Sequence, residues 1–286
     1  MSSPSPGYEL VTVKSGAKSL RSLACGEVFH PVIGPMAEAE SLHVGQQRLV
    51  ERALATRGTF VIWDVGLGAA ANAVAALNAL HGLPEIKAEI HSFDQSREPI
   101  EFALRHAEEL VYLAPYAAAV RELMSSGSTV VENVRWFLHS GDFREVVRDT
   151  ELTSPHAIFH DPFSPTMNPD LWTLEMFRAM HQRLSLEAPC LLTNYTRSTA
   201  VRVTLLLAGF FVGHGMATGD KDETTIAANQ RELLTSPLQI AWLKRVRSST
   251  RSAPLRSGDP GGPISEEDWE TLLKHPQFCA VGAGAG

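Results

Sequence analysis

Cysteine is scarce. The three residues at 25, 190 and 279 are an odd number set far apart, which excludes a disulfide framework and a thiolate metal site and favours a reducing compartment. Histidine is not scarce, but none of the eleven falls into an H-x-x-x-H pair. No metal is therefore expected, and His30, His139 and His160 read as packing or hydrogen-bonding residues. No apolar run approaches the roughly 18 residues that span a bilayer, and residues 1–7 show no basic-then-apolar leader. A cytoplasmic protein without membrane contact is expected. Positive charge is also in deficit: the net charge is −7, so the overall field repels polyanions and leaves any nucleic-acid contact to a local basic patch. The absence of G-x-S-x-G removes the serine-hydrolase elbow.

What is present suits one α/β domain with attachments, since 286 residues with 44% apolar content can bury a full core. From residue 59 onward, short β-rich runs at 59–65, 87–94, 134–139, 155–161, 188–196, 210–216 and 223–229 alternate with helix-length segments at 69–81, 98–113, 115–124, 169–185 and 198–208. Phe60-Val61-Ile62-Trp63 and Ala157-Ile158-Phe159 are continuously apolar, as strands covered on both faces are. Too few residues separate the last two strands for a crossover helix, so they form an antiparallel hairpin. The expectation is a seven-stranded, mostly parallel sheet closed by that hairpin. Such a layout resembles the class I, Rossmann-like methyltransferase fold more than a dinucleotide dehydrogenase. Residues 1–58 read as an extension with a helix at 44–56, and residues 59–229 as the catalytic domain. Residues 230–286 read as a helix at 237–246 followed by a flexible Ser/Arg/Pro/Gly stretch at 248–263. Ser265-Glu266-Glu267-Asp268 signals a capped last helix, and residues 282–286 read as disordered.

Asp64-Val65-Gly66-Leu67-Gly68-Ala69-Ala70-Ala71-Asn72 follows the first strand and opens a helix, where glycines let backbone approach a ligand. A methyl-donor site, a dinucleotide site and a plain tight turn all satisfy it. Asp94, ending the second strand, suits ribose hydroxyls in either kind of enzyme. Gly141-Asp142 after the third strand suits an adenine edge or, equally, an N-cap. His160-Asp161-Pro162-Phe163-Ser164-Pro165 opens a proline-stiffened loop. Ligands bind beyond the carboxyl ends of such strands, which puts Asp161 at a reacting position, the plain alternative being a turn cap.

That loop resembles the signature of the MnmC-like tRNA methyltransferases, D-x-F-x-P-x-x-N-P-x-x-W-[ST], through Asp161, Phe163, Pro165, Asn168, Pro169, Trp172 and Thr173. Tyr195-Thr196, Val201-Arg202, Ala208-Gly209-Phe210, Gly219, Lys221 and Glu223 extend the similarity downstream. Val28-Phe29-His30, the 38–44 stretch and Gly66-Leu67-Gly68 extend it upstream, so that it spans 27–229. Ala69-Ala70 replaces a common Thr-Gly pair, Asp94 a more usual Glu and Val203 an Arg, while Asp220 and Asp222 interrupt a normally basic stretch. With no room for a flavin-dependent oxidase domain, the chain resembles the stand-alone form.

The resemblance implies S-adenosylmethionine as donor, bound by Asp64, Gly66, Gly68, Asn72, Asp94, Gly141, Asp142 and Asp161. It implies the anticodon region of tRNA as partner, with methyl transfer to the 5-aminomethyl group of a modified wobble uridine. Asp161 would orient the amine and take its proton, and Phe163 or Tyr195 would stack on the base or, equally, pack the core. Arg202 and Lys221 would contact phosphate. Lys244, Arg245, Arg247, Arg251 and Arg256 form a basic tract suited to RNA or to a solvated tail. A small-molecule amine, another RNA and a non-catalytic scaffold are the competing readings.

Overall fold

Every residue of Phe60-Val61-Ile62-Trp63 is buried, and alternate side chains feed two separate cores. Phe60 and Ile62 pack with Ala73, Val74 and Leu77 on one face, whereas Val61, Trp63 and Val65 meet Phe177, Met180 and Leu205 on the other. A strand with two buried faces is what a doubly wound sheet requires. The computed structural model describes residues 7–258 and 261–279 of the chain. Its strands are β1 (Tyr8–Thr12), β2 (Lys18–Ser22), β3 (Thr59–Val65), β4 (Lys87–Asp94), β5 (Ser128–Val131), β6 (Val134–Ser140), β7 (Ala157–His160), β8 (Leu191–Asn194), β9 (Phe211–Gly215) and β10 (Thr224–Ala228). β1 and β2 form a separate hairpin. The other eight make one sheet in the order β5-β6-β4-β3-β7-β8-β10-β9. β5 and β10 run opposite to the other six strands of this sheet.

The class I, Rossmann-like layout with its terminal hairpin is present, with eight strands in the sheet rather than seven. The addition is β5, a Ser-Thr-Val-Val run that turns back on β6 through Glu132 and Asn133, with Glu132 at φ 53. Two other segments differ for physical reasons. The helix expected at 44–56 is broken at Arg48, φ 49, into a π-turn at Glu40–Gly45 and a helix at Leu49–Ala55. Buried His43 and Gln47 draw this segment inward by bonding Thr193 Oγ1, each at 2.8 Å. The helix expected over 98–113 stops at Arg105. Beyond it Ala107, Leu110 and Leu113 are all buried, a three-residue period that suits tight turns better than an α-helix.

The flexible tail expected after residue 248 is corrected: its described part lies on the core. Leu174 N donates to Leu255 O at 2.8 Å, Leu255 N donates to Thr204 Oγ1 at 2.9 Å, and Ser252 N donates to Gly262 O at 2.8 Å. Ile264, Leu272 and Phe278 join the Trp63 cluster, and Ser265 caps the helix Glu266–Leu273 by accepting from Asp268 N. Residues 282–286 lie outside the described residues. The extension before β3 packs as well, with Tyr8, Leu20, Leu49 and Ala53 in the Phe60 core. Among the described residues, no helix is long and apolar enough to cross a membrane.

Gln277 pins the end of the described chain to the sheet edge. Its Oε1 accepts from Val212 N at 2.7 Å, and its Nε2 donates to the carbonyls of Val212 and Leu238, both at 2.8 Å. Gln277→Leu leaves Val212 N and Leu238 O without these partners, while Val212 O keeps its bond from Leu238 N, and is expected to lower unfolding stability by about 2 kcal/mol. Urea denaturation should show a lower midpoint with an unchanged slope.

Candidate active site

A cavity of about 690 Å³ opens beyond the carboxyl ends of β3, β4, β6 and β7. Its size lies within the roughly 300–1,000 Å³ of small-molecule sites. At its centre, Gly66 N and Leu67 N donate to Phe93 O at 3.0 and 3.2 Å, turning the chain sharply after β3. Gly66 has φ 98, and a Cβ there would stand 2.8 Å from Asp161 O and 3.1 Å from Pro162 Cα. The turn can therefore touch the loop after β7 only as glycine. Gly68, φ 52, donates its N–H to Asp94 Oδ2 at 2.9 Å. The helix Ala71–Leu80 then starts from Ala70, held at φ 63 with no side-chain cap.

Three further strand ends line the cavity. Asp94 also accepts from Ser96 N at 3.0 Å. Burial raises its carboxyl, against the Gly68 and Ser96 N–H groups. Gly141 N donates to Asp94 O at 3.0 Å. Asp142 caps the helix Phe143–Val146 and grips Arg144, which also reaches Asp170 at 2.7 Å. This pairing pulls the Asp142 carboxyl below its ordinary range. Asp142 is thus a helix cap that also lines the cavity.

Asp161 immediately follows β7, and its backbone N–H donates to Val65 O at 3.0 Å. Its Oδ2 accepts from Asn72 Nδ2 at 2.9 Å and faces His30 Nε2 at 4.0 Å. Among the described residues Oδ1 takes no hydrogen bond. Burial pushes this carboxyl up to about 6, against the opposing pull of His30 and Asn72. Phe163 packs edge-on to Phe29 at 5.2 Å. Tyr195 donates its hydroxyl to Pro162 O at 3.1 Å, and its ring lies 4.5 Å from the Lys221 ammonium. The cavity therefore gathers Gly66, Gly68, Asn72, Asp94, Gly141, Asp142, Asp161, Phe163, Tyr195 and Lys221.

Two expected site residues lie elsewhere. Asp64 is fully buried beneath the turn, accepting from Ser92 Oγ at 2.7 Å. Arg202 has a side chain only 1% exposed. Its guanidinium is committed to Glu223 Oε1 at 2.9 Å, Thr224 O at 2.8 Å and Thr225 Oγ1 at 3.0 Å, so it is a strut of the terminal hairpin and cannot meet a phosphate. The basic tract is thinner than its sequence: Arg247 pairs with Glu266 at 2.6 Å and Arg256 with Asp268 at 2.7 Å. Lys244 and Arg245 are exposed. In the other direction, the sequence reading assigned no site role to Glu27, Phe29, His30, Glu38, Arg144 or Asp170, all of which line the cavity. Val28-Phe29-His30 carried the signal, as a matched motif well ahead of the sheet. His139 pairs with His91 at 2.9 Å and His160 packs against Trp172 and Phe177, as packing and hydrogen-bonding residues do. Among the described residues no three His, Cys, Asp or Glu side chains converge as metal ligands.

Two measurements follow from this geometry. Gly66→Ala forces a methyl group into the Asp161 backbone, and calorimetry should show binding of S-adenosylmethionine weakened at least about tenfold, a change of ~1.4 kcal/mol. Burial raises the Asp64 carboxyl from 3.8 to about 7. The folded chain thus keeps a proton that the unfolded chain releases, and stability falls as pH rises through that window. Asp64→Asn should flatten this part of the melting-temperature profile between pH 4 and 7.

Residues 112–230 match a family described as S-adenosyl-L-methionine-dependent methyltransferase. The chain is 24% identical over 265 residues to the tRNA 5-methylaminomethyl-2-thiouridine biosynthesis bifunctional protein MnmC of Methylibium petroleiphilum, covering 87% of this chain and 39% of that protein. It is 29% identical over 215 residues to the MnmC of Ralstonia nicotianae, covering 71% of this chain and 32% of the relative. The chain thus spans less than half the length of these relatives. The crystal structure of MnmC2 from Aquifex aeolicus is similar at 25% identity with a TM-score of 0.70, over 94% of this chain and 85% of that one. The sheet order, the glycine turn against Asp161 and these likenesses agree: the chain is a class I S-adenosyl-L-methionine-dependent methyltransferase that is similar to the MnmC proteins.

Proposed function

We propose that the chain, as a cytoplasmic enzyme, methylates the primary amine of a 5-aminomethyl group on the modified wobble uridine of tRNA. The relatives named for that nucleoside supply the substrate class. The single observation that carries the chemistry is Asp161, whose unpaired Oδ1 belongs to a side chain lining the cavity one contact away from the glycine turn. The lining suits a cationic donor, because Glu27, Glu38, Asp94, Asp142, Asp161 and Asp170 all border it.

When bound, S-adenosylmethionine supplies a methyl group already activated on a sulfonium, so the protein's work is alignment and a neutral nucleophile. Gly66 and Gly68 let the backbone approach the donor closely. Asp94 has lone pairs left for ribose hydroxyls, and Gly141 and Asp142 wall the adenine side. Asn72 fixes Asp161 Oδ2, leaving Oδ1 to hold the substrate ammonium and take its proton. The freed nitrogen lone pair forms the N–C bond as the S–C bond breaks, and its electron pair stays on sulfur. Phe163 flanks the base, and Tyr195 with Lys221 closes the side beyond Asp161. Residues 59–229 hold the sheet and most of this machinery, and the described residues before and after them pack against it as attachments.

Labelled methyl groups should pass from S-adenosylmethionine to tRNA carrying the 5-aminomethyl uridine. Asp161→Ala should cut the rate by about 10²–10⁴-fold, the usual worth of a positioned base, with donor affinity held within a few-fold. No label above background on that tRNA, with donor binding intact, rejects the substrate. The acidic lining also favours a small free amine, so label on the free aminomethyl nucleoside at equal efficiency would replace tRNA by that smaller acceptor.

A further inference from the structure

His30 stands at the cavity wall in a left-handed backbone conformation, φ 49, which few non-glycine residues adopt. Its side chain is only 13% exposed and lies between two carboxylates, with Nδ1 3.7 Å from Glu38 Oε2 and Nε2 4.0 Å from Asp161 Oδ2. Glu38 comes from the helix Pro35–Ala39 and Asp161 from just beyond β7, so two elements distant in sequence converge on one imidazole. We propose that His30 is a positioning residue for methyl transfer: its imidazolium, held by Glu38, keeps Asp161 ionised and turned with Oδ1 toward the acceptor amine. The inference rests on the reading of Asp161 given above.

The groups around the pair decide the sign. Burial works against charge on His30, yet Glu38 and Asp161 outweigh it and the imidazole lies above its ordinary value. Lys221, from the β9–β10 turn, opposes them. Buried His43, stacked on Phe159, is held well below its ordinary value by burial and then by His30. Beneath lies Asp64, whose carboxyl feels Asp161 and His30 with opposite signs. For Asp161 itself, His30, Asn72 and Lys221 favour the carboxylate while burial and Glu38 oppose it. His30 is thus the cation that offsets the desolvation of the proposed base. A neutral residue in its place leaves Asp161 protonated over a wider pH range. A merely structural histidine would not move that titration.

The test needs no substrate. In protein with ¹³C-labelled aspartate carboxyls, the Asp161 resonance is assigned by its loss in Asp161→Asn and followed against pH. His30→Asn tolerates the left-handed backbone and should raise the Asp161 midpoint by about one unit, at the low end for an opposite charge at such range. Methyl transfer should then fall about fivefold at pH 6 and little at pH 9. In Glu38→Gln, the His30 imidazole midpoint should fall. An Asp161 midpoint unmoved or lowered in His30→Asn overturns the proposal, as does a His30 midpoint unmoved in Glu38→Gln. Unchanged thermal melting separates either result from misfolding. Full activity in Asp161→Asn would instead defeat the acceptor reading, a distinct failure.

Discussion

A missing Cβ governs the site. Because Gly66 carries no side chain, the turn after β3 can rest on the carbonyl of Asp161, and the two halves of the cavity are set against each other by backbone alone. β3 and β7 are adjacent and parallel, with Val65 opposite His160, and the Asp161 N–H closes on the Val65 carbonyl. The proposed base cannot drift from the turn without breaking the sheet register. Rigid elements, not loops, fix the distance that an in-line displacement depends on.

Much of this arrangement was legible. Residues 59–65 and 87–94 read correctly to the residue, the first as an apolar run stopped by Gly66, the second as a mixed run bounded by Lys87 and Asp94. The turn at Gly66 and the loop at Asp161 announced themselves through glycine and proline, whose backbone limits act locally. Other features depend on partners distant in sequence. β5 is four residues long and gains its hydrogen bonds only from β6. Asp64 and Val65 are consecutive, yet strand periodicity does not reveal which side chain faces ligand and which faces core. Arg202 matched a motif, and a motif is silent about direction. Only the packing of β10 shows its guanidinium turned inward. The stretch at 248–263 has a tail's composition, but in its described part the backbone of Ser252, Ala253 and Leu255 is bonded to Gly262, Leu174 and Thr204.

The electrostatics of the cavity are local rather than global. The acids that border it are matched with nearby cations or donors: Glu38 with His30, Asp142 and Asp170 with Arg144, Asp161 with Asn72. Lys221 lies against Tyr195 within reach of these carboxylates, and burial pulls its ammonium down. Because the charges around it are already partnered, the proposed base Asp161 can both hold an ammonium and take its proton.

The wall supplied by residues 27–38 divides labour within the molecule. Glu27 binds the backbone N–H and hydroxyl of Ser164, and Phe29 braces Phe163 and crowds Gly68. The proposed acceptor side of the cavity is therefore shaped largely by a strip of chain that takes no part in the sheet, which meets the proposed donor side at Gly68, whereas the rest of the donor side is shaped by the sheet itself. Inheritance can tinker with the first while leaving the second alone, so enzymes sharing this scaffold are free to diverge in what they modify without relearning how to hold the reagent.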